Sequence, residues 1–220
     1  MPGLLWEIER DKLLALLGNW PEFEIARADG DMRIAGLEQE FGAFSEFPPF
    51  RPAVEESDFE FCGKIDRVDV SINGKRARVI DYKTGKLPDT LKRKDRPLLM
   101  GGEKIQLAVY RGALASLDEF AAVETVEAEY LYLQPKDGEV MQSALTPEQM
   151  ETAFTDLPRV LRVLDSCMKN GFFFARTRSI VQPGGHCEHC DFQPVCGKDR
   201  EWREKRKSED PVIQDFLNPA

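Results

Sequence analysis

The chain has 220 residues, of which 42% are hydrophobic and 31% are charged. That length supports one sizeable core, or one domain with an appendage. No apolar run approaches the roughly 20 residues needed to cross a bilayer, and the acidic N-terminal segment lacks the basic region of a signal peptide, so we expect a cytoplasmic protein without membrane contact. The net charge of −9 argues against a protein that coats nucleic acid non-specifically.

Charge is distributed unevenly along the chain. Residues 64–104 carry twelve basic side chains but only six acidic ones. A basic stretch on an acidic protein is compatible with binding a phosphate backbone, and a solvated surface explains it equally well. Charge alone therefore does not identify a ligand.

Hydrophobic periodicity and turn residues predict an alternation of helices and strands. The predicted elements in chain order are a helix over 4–17 ended by Gly-Asn-Trp-Pro, an extended segment over 32–41, strands over 58–70 and 76–83, a mobile loop over 85–102, a helix over 103–117, a strand over 126–135 and a helix over 146–170 opened by a Thr-x-x-Gln capping box. This succession predicts an α/β domain with a mixed sheet.

Asn-Gly between the two predicted strands is the strongest short signal for a hairpin. With a two-residue type I′ turn at this position, Asp66 lies directly opposite Asp81, with Cβ atoms about 4.5–5.5 Å apart. Strand alternation places Lys83 on the same face, one pleat further on. Two facing carboxylates repel each other unless a cation lies between them, and oxygen ligands suit a hard divalent cation such as Mg²⁺.

A cation held by carboxylates beside a lysine suits the hydrolysis of a phosphodiester. The cation neutralises charge on the phosphate and lowers the pKa of water, while an ammonium group orients that water or stabilises the transition state. The alternative is that Asp66, Asp81 and Lys83 form a solvated face with one surface ion pair. The facing aspartates favour the metal site.

The sequence around these residues resembles a known family. Gly-Lys-Ile-Asp-Arg-Val-Asp and the following Asp-Tyr-Lys-Thr-Gly are similar to the nuclease motifs of RecB/AddB-type exonucleases, in the PD-(D/E)xK superfamily. The resemblance extends from about residue 35 to 197. It implies a restriction-endonuclease-like α/β core, a mixed sheet flanked by helices. It also implies that Asp66 and Asp81 bind Mg²⁺ or Mn²⁺ and that Lys83 is catalytic.

Two further motifs of this family have counterparts in the sequence. Gln106 and Tyr110 match its Gln-x-x-x-Tyr motif, and their i, i+4 spacing puts both on one face of a helix, where the resemblance implies contact with DNA or support of the site. The family's Glu-x-x-Phe-Gly pattern implies one more metal ligand. Glu38 matches it, and Glu40, which has the same strand parity, is the second choice.

Three of the five cysteines, Cys187, Cys190 and Cys196, lie within ten residues. In a chain without a secretion signal, such clustering indicates metal ligation rather than disulfides. The resemblance implies that this triple helps to hold a 4Fe–4S cluster, which normally needs four thiolates. Zinc bound together with His186 or His189 is the alternative.

Two ligands of the family have no counterpart where the family places them: a cysteine far upstream of the triple, and an upstream histidine at the metal site. Cys62 and Cys167 are predicted to be buried structural residues instead. We therefore expect this chain to begin inside a longer protein. On that expectation the cluster belongs to the parent protein, and the fragment has weak activity at best.

The motifs predict three segments: an N-terminal helical remnant over 1–30, a nuclease core over 31–177 and a cysteine-containing tail over 178–220. The expected function is metal-dependent exonuclease activity on DNA ends or single strands, in a repair or recombination system with a helicase domain or subunit as partner. Two alternatives stay open, a CRISPR-adaptation-type nuclease and a non-catalytic DNA-binding module on a nuclease fold. The intact aspartate and lysine set argues against the module.

Overall fold

A computed structural model describes residues 2–43, 45–55, 57–93, 95–134, 139–172, 190–196, 200–207, 209–211 and 214. Internal contacts divide the chain into two compact units, Met1–Pro158 and Arg159–Ala220. Within the described stretches, no helix combines the length and the apolar composition that a membrane span requires. The predicted segment boundaries near residues 30 and 177 stay a prediction.

The first unit is built around a five-stranded sheet. Its strands, in chain order, are β1 (Met32–Phe41), β2 (Gly63–Ser71), β3 (Arg76–Thr84), β4 (Thr125–Gln134) and β5 (Glu139–Leu145). The helices of the chain are α1 (Pro2–Arg27), α2 (Asp89–Lys92), α3 (Gln106–Ala115), α4 (Pro147–Lys169), α5 (Gln193–Cys196) and α6 (Arg200–Lys207). Short 3₁₀ helices at Met100–Gly102 and Asp118–Phe120 flank α3.

The strands lie in the order β1-β2-β3-β4-β5. All neighbouring strands are antiparallel except β3 and β4, which are parallel and are joined through α3. A parallel pair needs such a crossover because both strands start at the same edge of the sheet. The mixed sheet flanked by helices that the sequence predicts is therefore confirmed.

The hairpin of β2 and β3 has the predicted register. Arg67 pairs with Ile80 and Val68 pairs with Val79, as a turn centred on Asn-Gly requires. Because side chains alternate along a strand, this register decides which residues share a face.

The turn of the hairpin differs from the predicted type I′. Its loop spans 72–75, and among these four residues, all of which the structure describes, only Gly74 has a positive φ, of 75°. A type I′ turn needs a positive φ at both central residues. Instead, Oδ1 of Asn73 accepts a hydrogen bond from the backbone N–H of Lys75 at 3.0 Å and one from the Ser71 hydroxyl at 2.8 Å. The side chain of Asn73 thus closes the turn while the register is kept.

The two faces of the sheet differ in chemistry. The face that carries α3 is apolar, and its buried residues include Val68, Val79, Ala128, Leu107 and Leu114. The face that carries α1 holds charged side chains, namely Arg67, Asp69, Arg78, Glu127 and Glu129. The hydrophobic core of this unit therefore lies on the α3 side of the sheet.

Helix α1 is longer than predicted. Glycine and proline disfavour helix interiors, yet α1 continues through Pro21 to Arg27. Contacts with the sheet hold the second half: Trp20 packs edge-on against Tyr82 with ring centroids 5.5 Å apart, and Arg27 forms an ion pair with the buried Glu129. Tertiary contacts outweigh local propensity here, so the predicted end of this helix is wrong.

The capping box that opens α4 is confirmed. The backbone N–H of Gln149 donates to Oγ1 of Thr146 at 3.3 Å, and the backbone N–H of Thr146 donates to Oε1 of Gln149 at 3.0 Å. Both halves of this reciprocal motif are formed. Helix α4 then continues through Pro158.

Two segments next to the hairpin differ from the prediction. Strand β2 begins at Gly63 rather than at residue 58, since the chain before it forms an isolated bridge between Phe50 and Phe61. The segment 85–102 contains α2 and packs through three buried leucines, so the prediction of a mobile loop is wrong. The three leucines are widely spaced among polar residues, so the sequence of this segment does not predict that they are buried.

Strand β5 has no counterpart among the predicted elements. Ser143 is buried, and Gln142 donates a hydrogen bond to the carboxylate of Glu129. Polar residues thus occupy inward-facing positions of β5, where the alternating pattern of a half-buried strand has apolar residues. The missing alternation explains why the sequence does not predict β5.

The cysteines fall in both units. In the second unit Cys167, on α4, is buried as predicted. Cys190 is a half-buried free thiol, Cys196 lies in α5, and Cys187 lies outside the described residues. In the first unit Cys62, directly before β2, is exposed, so its predicted burial is wrong.

Candidate active site

Five predicted site residues lie close together in the first unit. Asp66 lies on β2, Asp81 and Lys83 lie near the end of β3, and Gln106 and Tyr110 lie on α3. Alternation along β3 points its aspartate and lysine toward the α3 face. Helix α3 begins at the glutamine, which places the amide within reach of the lysine.

The ladder between β2 and β3 ends just before the two aspartates. Arg67 still pairs with Ile80, but Asp66 and Asp81 are not a ladder pair. Instead, Oδ2 of Asp66 accepts a hydrogen bond from the backbone N–H of Tyr82 at 2.8 Å. The prediction of two aspartates opposed within a regular ladder is therefore corrected: a carboxylate takes a backbone N–H where a regular ladder would use a carbonyl.

A closed ring of polar contacts, which we name the ring, joins Asp81, Lys83, Gln106 and Tyr110. The Lys83 ammonium lies 2.7 Å from Oδ2 of Asp81 and donates to Oε1 of Gln106 at 2.9 Å. Nε2 of Gln106 donates to the Tyr110 hydroxyl at 2.8 Å. This hydroxyl donates in turn to Oδ1 of Asp81 at 3.4 Å. Each side chain of the ring is held by two others.

Burial determines the electrostatics of the ring. Only 2% of Asp81 is exposed, and burial raises the pKa of its carboxyl; the nearby charge of Asp66 adds to this rise, whereas the Lys83 ammonium opposes it. Burial also raises the pKa of Tyr110 to about 12. The Tyr110 hydroxyl therefore keeps its proton at neutral pH and can act as a donor.

Glu38, the predicted third ligand, lies on β1 beside β2. Its φ is 52°, in the left-handed region that residues other than glycine rarely adopt. Its exposed carboxylate lies 2.7 Å from Nζ of Lys64. Glu38 thus lies on the strand next to Asp66 but outside the ring, and Glu40 is also exposed. The role of Glu38 as a third metal ligand, with Glu40 as the second choice, stays a prediction.

Two aromatic residues support the ring: Phe41, the phenylalanine of the Glu-x-x-Phe-Gly pattern, and Tyr130, which sequence reasoning does not predict as a site residue. Phe41 packs edge-on against Tyr110, with ring centroids 6.3 Å apart. Tyr130 on β4 pairs with Asp81 across the parallel ladder, and Nζ of Lys83 lies 5.5 Å from its ring centroid. Alternation in β4 indicates that Tyr130 faces inward, but only the pairing of β4 with β3 places it at the ring.

A family model of the PD-(D/E)XK nuclease superfamily matches residues 4–197. The chain belongs to this superfamily. The sequence Asp81-Tyr82-Lys83 matches the (D/E)XK pattern for which the superfamily is named. No curated protein sequence matches the chain significantly. Among solved structures, it is similar to the crystal structure of SSO0001, with 16% identity, a TM-score of 0.39, and coverage of 83% of this chain and 68% of that chain.

PD-(D/E)XK nucleases typically use divalent metals, and the residues of the site fit such an ion. Among the described residues, none donates a hydrogen bond to the buried Oδ2 atom of Asp81, which the Lys83 ammonium approaches to 2.7 Å. Asp66 uses one carboxylate oxygen for a backbone N–H. Mg²⁺ is commonly bound by one or two carboxylates together with water and substrate phosphates. No group of three acidic, histidine or cysteine side chains is close enough to hold a metal in the described part of the chain.

Proposed function

We propose that this PD-(D/E)XK nuclease is a metal-dependent deoxyribonuclease of the RecB/AddB type. It acts on DNA ends or single strands in a DNA repair or recombination system with a helicase partner. The observation that supports the catalytic part is the convergence of Asp66, Asp81 and Lys83 beside α3. A buried aspartate, a second aspartate and an ammonium held in fixed positions are the groups that phosphodiester hydrolysis needs.

The aspartates bind the metal in this mechanism. Asp66 and Asp81 would hold Mg²⁺ or Mn²⁺, with Glu38 as a further candidate ligand. When bound, the cation neutralises charge on the phosphate and makes water more acidic. The raised pKa of Asp81 means that burial makes its charged form unfavourable even beside Lys83, so a bound cation would stabilise the carboxylate.

The lysine acts on water and on the phosphate. With Asp81 and Gln106 as partners, the Lys83 ammonium is fixed in direction. From that position it can orient the attacking water and stabilise the negative charge that develops on the phosphate. Gln106 and Tyr110 serve as positioning residues, because they hold the lysine and the aspartate rather than the reacting atoms.

Hydrolysis of linear DNA in Mg²⁺ or Mn²⁺ tests this mechanism. We expect Lys83→Ala to lower the rate at saturating metal by about 100-fold or more, since the loss of a group that stabilises a transition state or transfers a proton has this order of effect. The matched control is Lys12→Ala, which removes an exposed lysine of α1 that pairs with Glu9. Its rate should stay within about twofold of wild type.

Two outcomes contradict the proposal. One is a Lys83→Ala protein that hydrolyses DNA as fast as wild type. The other is a wild-type protein that hydrolyses no DNA with either metal. A folded Lys83→Ala protein that binds DNA without cleaving it is the expected result.

The RecB/AddB assignment rests on the cysteine triple together with the hairpin and Gln-x-x-x-Tyr motifs. We propose that Cys187, Cys190 and Cys196 provide three ligands of a 4Fe–4S cluster, with zinc as the alternative metal. Cys187 and the two histidines beside it lie outside the described residues. The support for this cluster is therefore the spacing of the cysteines in the sequence.

A further inference from the structure

A second lysine, Lys104, contacts the aromatic side chain of Tyr130. Nζ of Lys104 lies 5.7 Å from the centroid of its aromatic ring, while Nζ of Lys83 lies 5.5 Å from the same centroid. Both distances are within the range of a cation–π interaction. Tyr130 is only 3% exposed, so its position is fixed by the core. One buried aromatic side chain next to Asp81 on the sheet thus contacts two ammonium groups.

The two lysines differ in how their charge is balanced. Asp81 neutralises Lys83 at 2.7 Å. In the part of the chain that the structure describes, no carboxylate lies within 4 Å of the Lys104 ammonium. Lys104 is half-buried, so its side chain is partly ordered against Tyr130 while the ammonium keeps access to solvent.

Three other cations of the same basic segment have different contacts. Lys92 and Arg93 are exposed and pair with aspartates two or three residues away. Arg96 is partly buried and donates to the Ser143 hydroxyl at 3.0 Å, which makes it a structural residue. Lys104 therefore combines closeness to the ring with a positive charge that no described carboxylate neutralises.

The backbone before Lys104 has an unusual conformation. Met100, Gly101 and Gly102 have φ values of 51°, 64° and 90°, and a left-handed conformation is costly for methionine. The backbone N–H of Lys104 then donates to the carbonyl of the buried Leu99 at 3.1 Å. This turn brings the lysine to the start of α3, next to the ring, and backbone strain of this kind is concentrated at functional sites.

We propose that Lys104 binds a phosphate of the DNA strand adjacent to the phosphate that is cleaved. The inference rests on the proposed function and adds to it a substrate-binding residue. Lys83, balanced by Asp81, acts at the cleaved phosphate. Lys104, which pairs with no carboxylate among the described residues, attracts a neighbouring phosphate. A phosphate contact fixes the strand in position and carries no sequence information.

The test compares Lys104→Gln and Lys104→Arg with wild type. Binding of a fluorescent single-stranded oligonucleotide is measured by anisotropy in EDTA, which prevents hydrolysis, over a series of salt concentrations. We expect Lys104→Gln to weaken binding about tenfold at low salt and to reduce the slope of log affinity against log salt by about 0.7 to 1, the value for one phosphate contact. Lys104→Arg should keep the slope.

Kinetics provide the second readout. With Mg²⁺, Lys104→Gln should raise KM about tenfold and change kcat by less than about threefold, because a contact made equally in the ground and transition states affects binding alone. The matched control is Lys75→Ala, at the far end of the hairpin, where the lysine pairs with Glu124. It should change neither the salt slope nor KM.

The outcomes separate this inference from the proposed function. If wild type cleaves DNA but Lys104→Gln has an unchanged salt slope and KM, the inference is wrong and the function stands. If Lys104→Gln lowers kcat and leaves KM unchanged, the lysine is catalytic rather than substrate-binding, which also contradicts the inference. Failure of wild type to bind DNA overturns both.

Discussion

The direction of each hydrogen bond in the ring follows from the chemistry of the side chains. An ammonium group only donates, so Gln106 must present its oxygen to Lys83 and its nitrogen to Tyr110. The Tyr110 hydroxyl accepts that bond, and its own proton is left for Asp81. One lysine thus fixes the amide and, through it, the hydroxyl that stabilises the buried carboxylate.

Tyr110→Phe tests this chain of contacts. The hydrogen bond from Tyr110 lowers the pKa of Asp81, whose net rise is due mainly to burial, so removing the hydroxyl raises this pKa further. Because a metal ligand must be ionised, activity is lost as pH falls through the pKa of Asp81. We expect the acidic limb of the pH profile of kcat/KM to move to higher pH and kcat/KM near neutrality to fall about threefold to tenfold, the order of one hydrogen bond.

Tyr132→Phe is the matched control, since it removes a buried hydroxyl from β4 that makes no hydrogen bond to Asp81 among the described contacts. Its acidic limb should coincide with that of wild type. An unshifted limb in Tyr110→Phe would show that the 3.4 Å contact has no role in holding the carboxylate ionised.

Local periodicity predicts that Asp81 and Lys83 share one face of a strand and that Gln106 and Tyr110 share one face of a helix. Only the family resemblance implies that these two pairs belong to the same site, and the sequence does not predict how they bond. The splay of the strands at Asp66 depends on a side chain taking a backbone N–H, which no periodic pattern encodes. Tyr130 enters the site through the pairing of distant strands, and a single sequence does not specify that pairing.

At the scale of elements, α1 is attached to the sheet mainly by charges. Arg67 makes a bidentate pair with Asp69 and also bonds Glu24 of α1 at 3.0 Å. Burial alone would lower the pKa of Arg67, but its hydrogen bonds to two carboxylates and a tyrosine hydroxyl raise it. Arg27 of α1 pairs with Glu129 in the same layer. Ion pairs and hydrogen bonds thus attach α1 to one face of the sheet, whereas apolar packing attaches α3 to the other face.

Glu129→Gln tests how much the buried charge of Glu129 lowers the free energy of unfolding. Burial raises the pKa of Glu129 above its ordinary value of 4.5, although Arg27 opposes the rise. The folded protein thus holds this proton more readily than the unfolded chain, so the stability that Glu129 contributes is complete below pH 4.5 and is lost as pH rises through the folded pKa. We expect the variant to gain stability relative to wild type as pH rises above 4.5, as measured by urea unfolding over a series of pH values.

Glu148→Gln provides a control of opposite sign. Hydrogen bonds at the start of α4, first from its own backbone and then from Thr146, lower the pKa of Glu148. Its contribution to stability is present above the unfolded pKa and is lost as pH falls through the folded pKa. Glu148→Gln should therefore lose stability relative to wild type as pH rises. The same trend in both variants would contradict the assignment for Glu129.

Element prediction succeeds where local signals act alone and fails where tertiary contacts override them. Thr146 and Gln149 form their capping box because only four residues are involved. Pro21 lies inside α1 because contacts of Trp20 and Arg27 with the sheet hold the helix beyond it. The polar Ser143 of β5 is buried by neighbours that are distant in the sequence.

At the scale of the whole molecule, the ring and the cysteine triple lie in different units of the chain. The ring belongs to Met1–Pro158, and the triple belongs to Arg159–Ala220. A metal bound at the triple should therefore depend on the cysteines and not on the aspartates of the hairpin. This separation allows the two proposed metal sites to be tested independently.

Metal analysis of protein purified without oxygen tests the triple. We expect iron and sulfide with the visible absorption of an iron–sulfur cluster in wild type, and loss of both by about tenfold in Cys190→Ala, since the cluster is held by thiolates. The Asp81→Asn protein is the control and should keep the iron. Zinc in place of iron would favour the zinc alternative, and absence of both metals would contradict a metal site at the triple.

The parallel pairing of β3 with β4 also bears on the order of folding. The Lys83–Gln106 bond joins residues 23 positions apart, whereas the Arg67–Glu24 and Arg27–Glu129 pairs join residues 43 and 102 positions apart. Closing a short loop costs less conformational entropy than closing a long one. We expect the crossover from β3 through α3 to form early, so that the side chains of the ring meet before the N-terminal helix docks on the sheet. Damage to that helix would then slow the last stage of folding and leave the assembly of the ring intact.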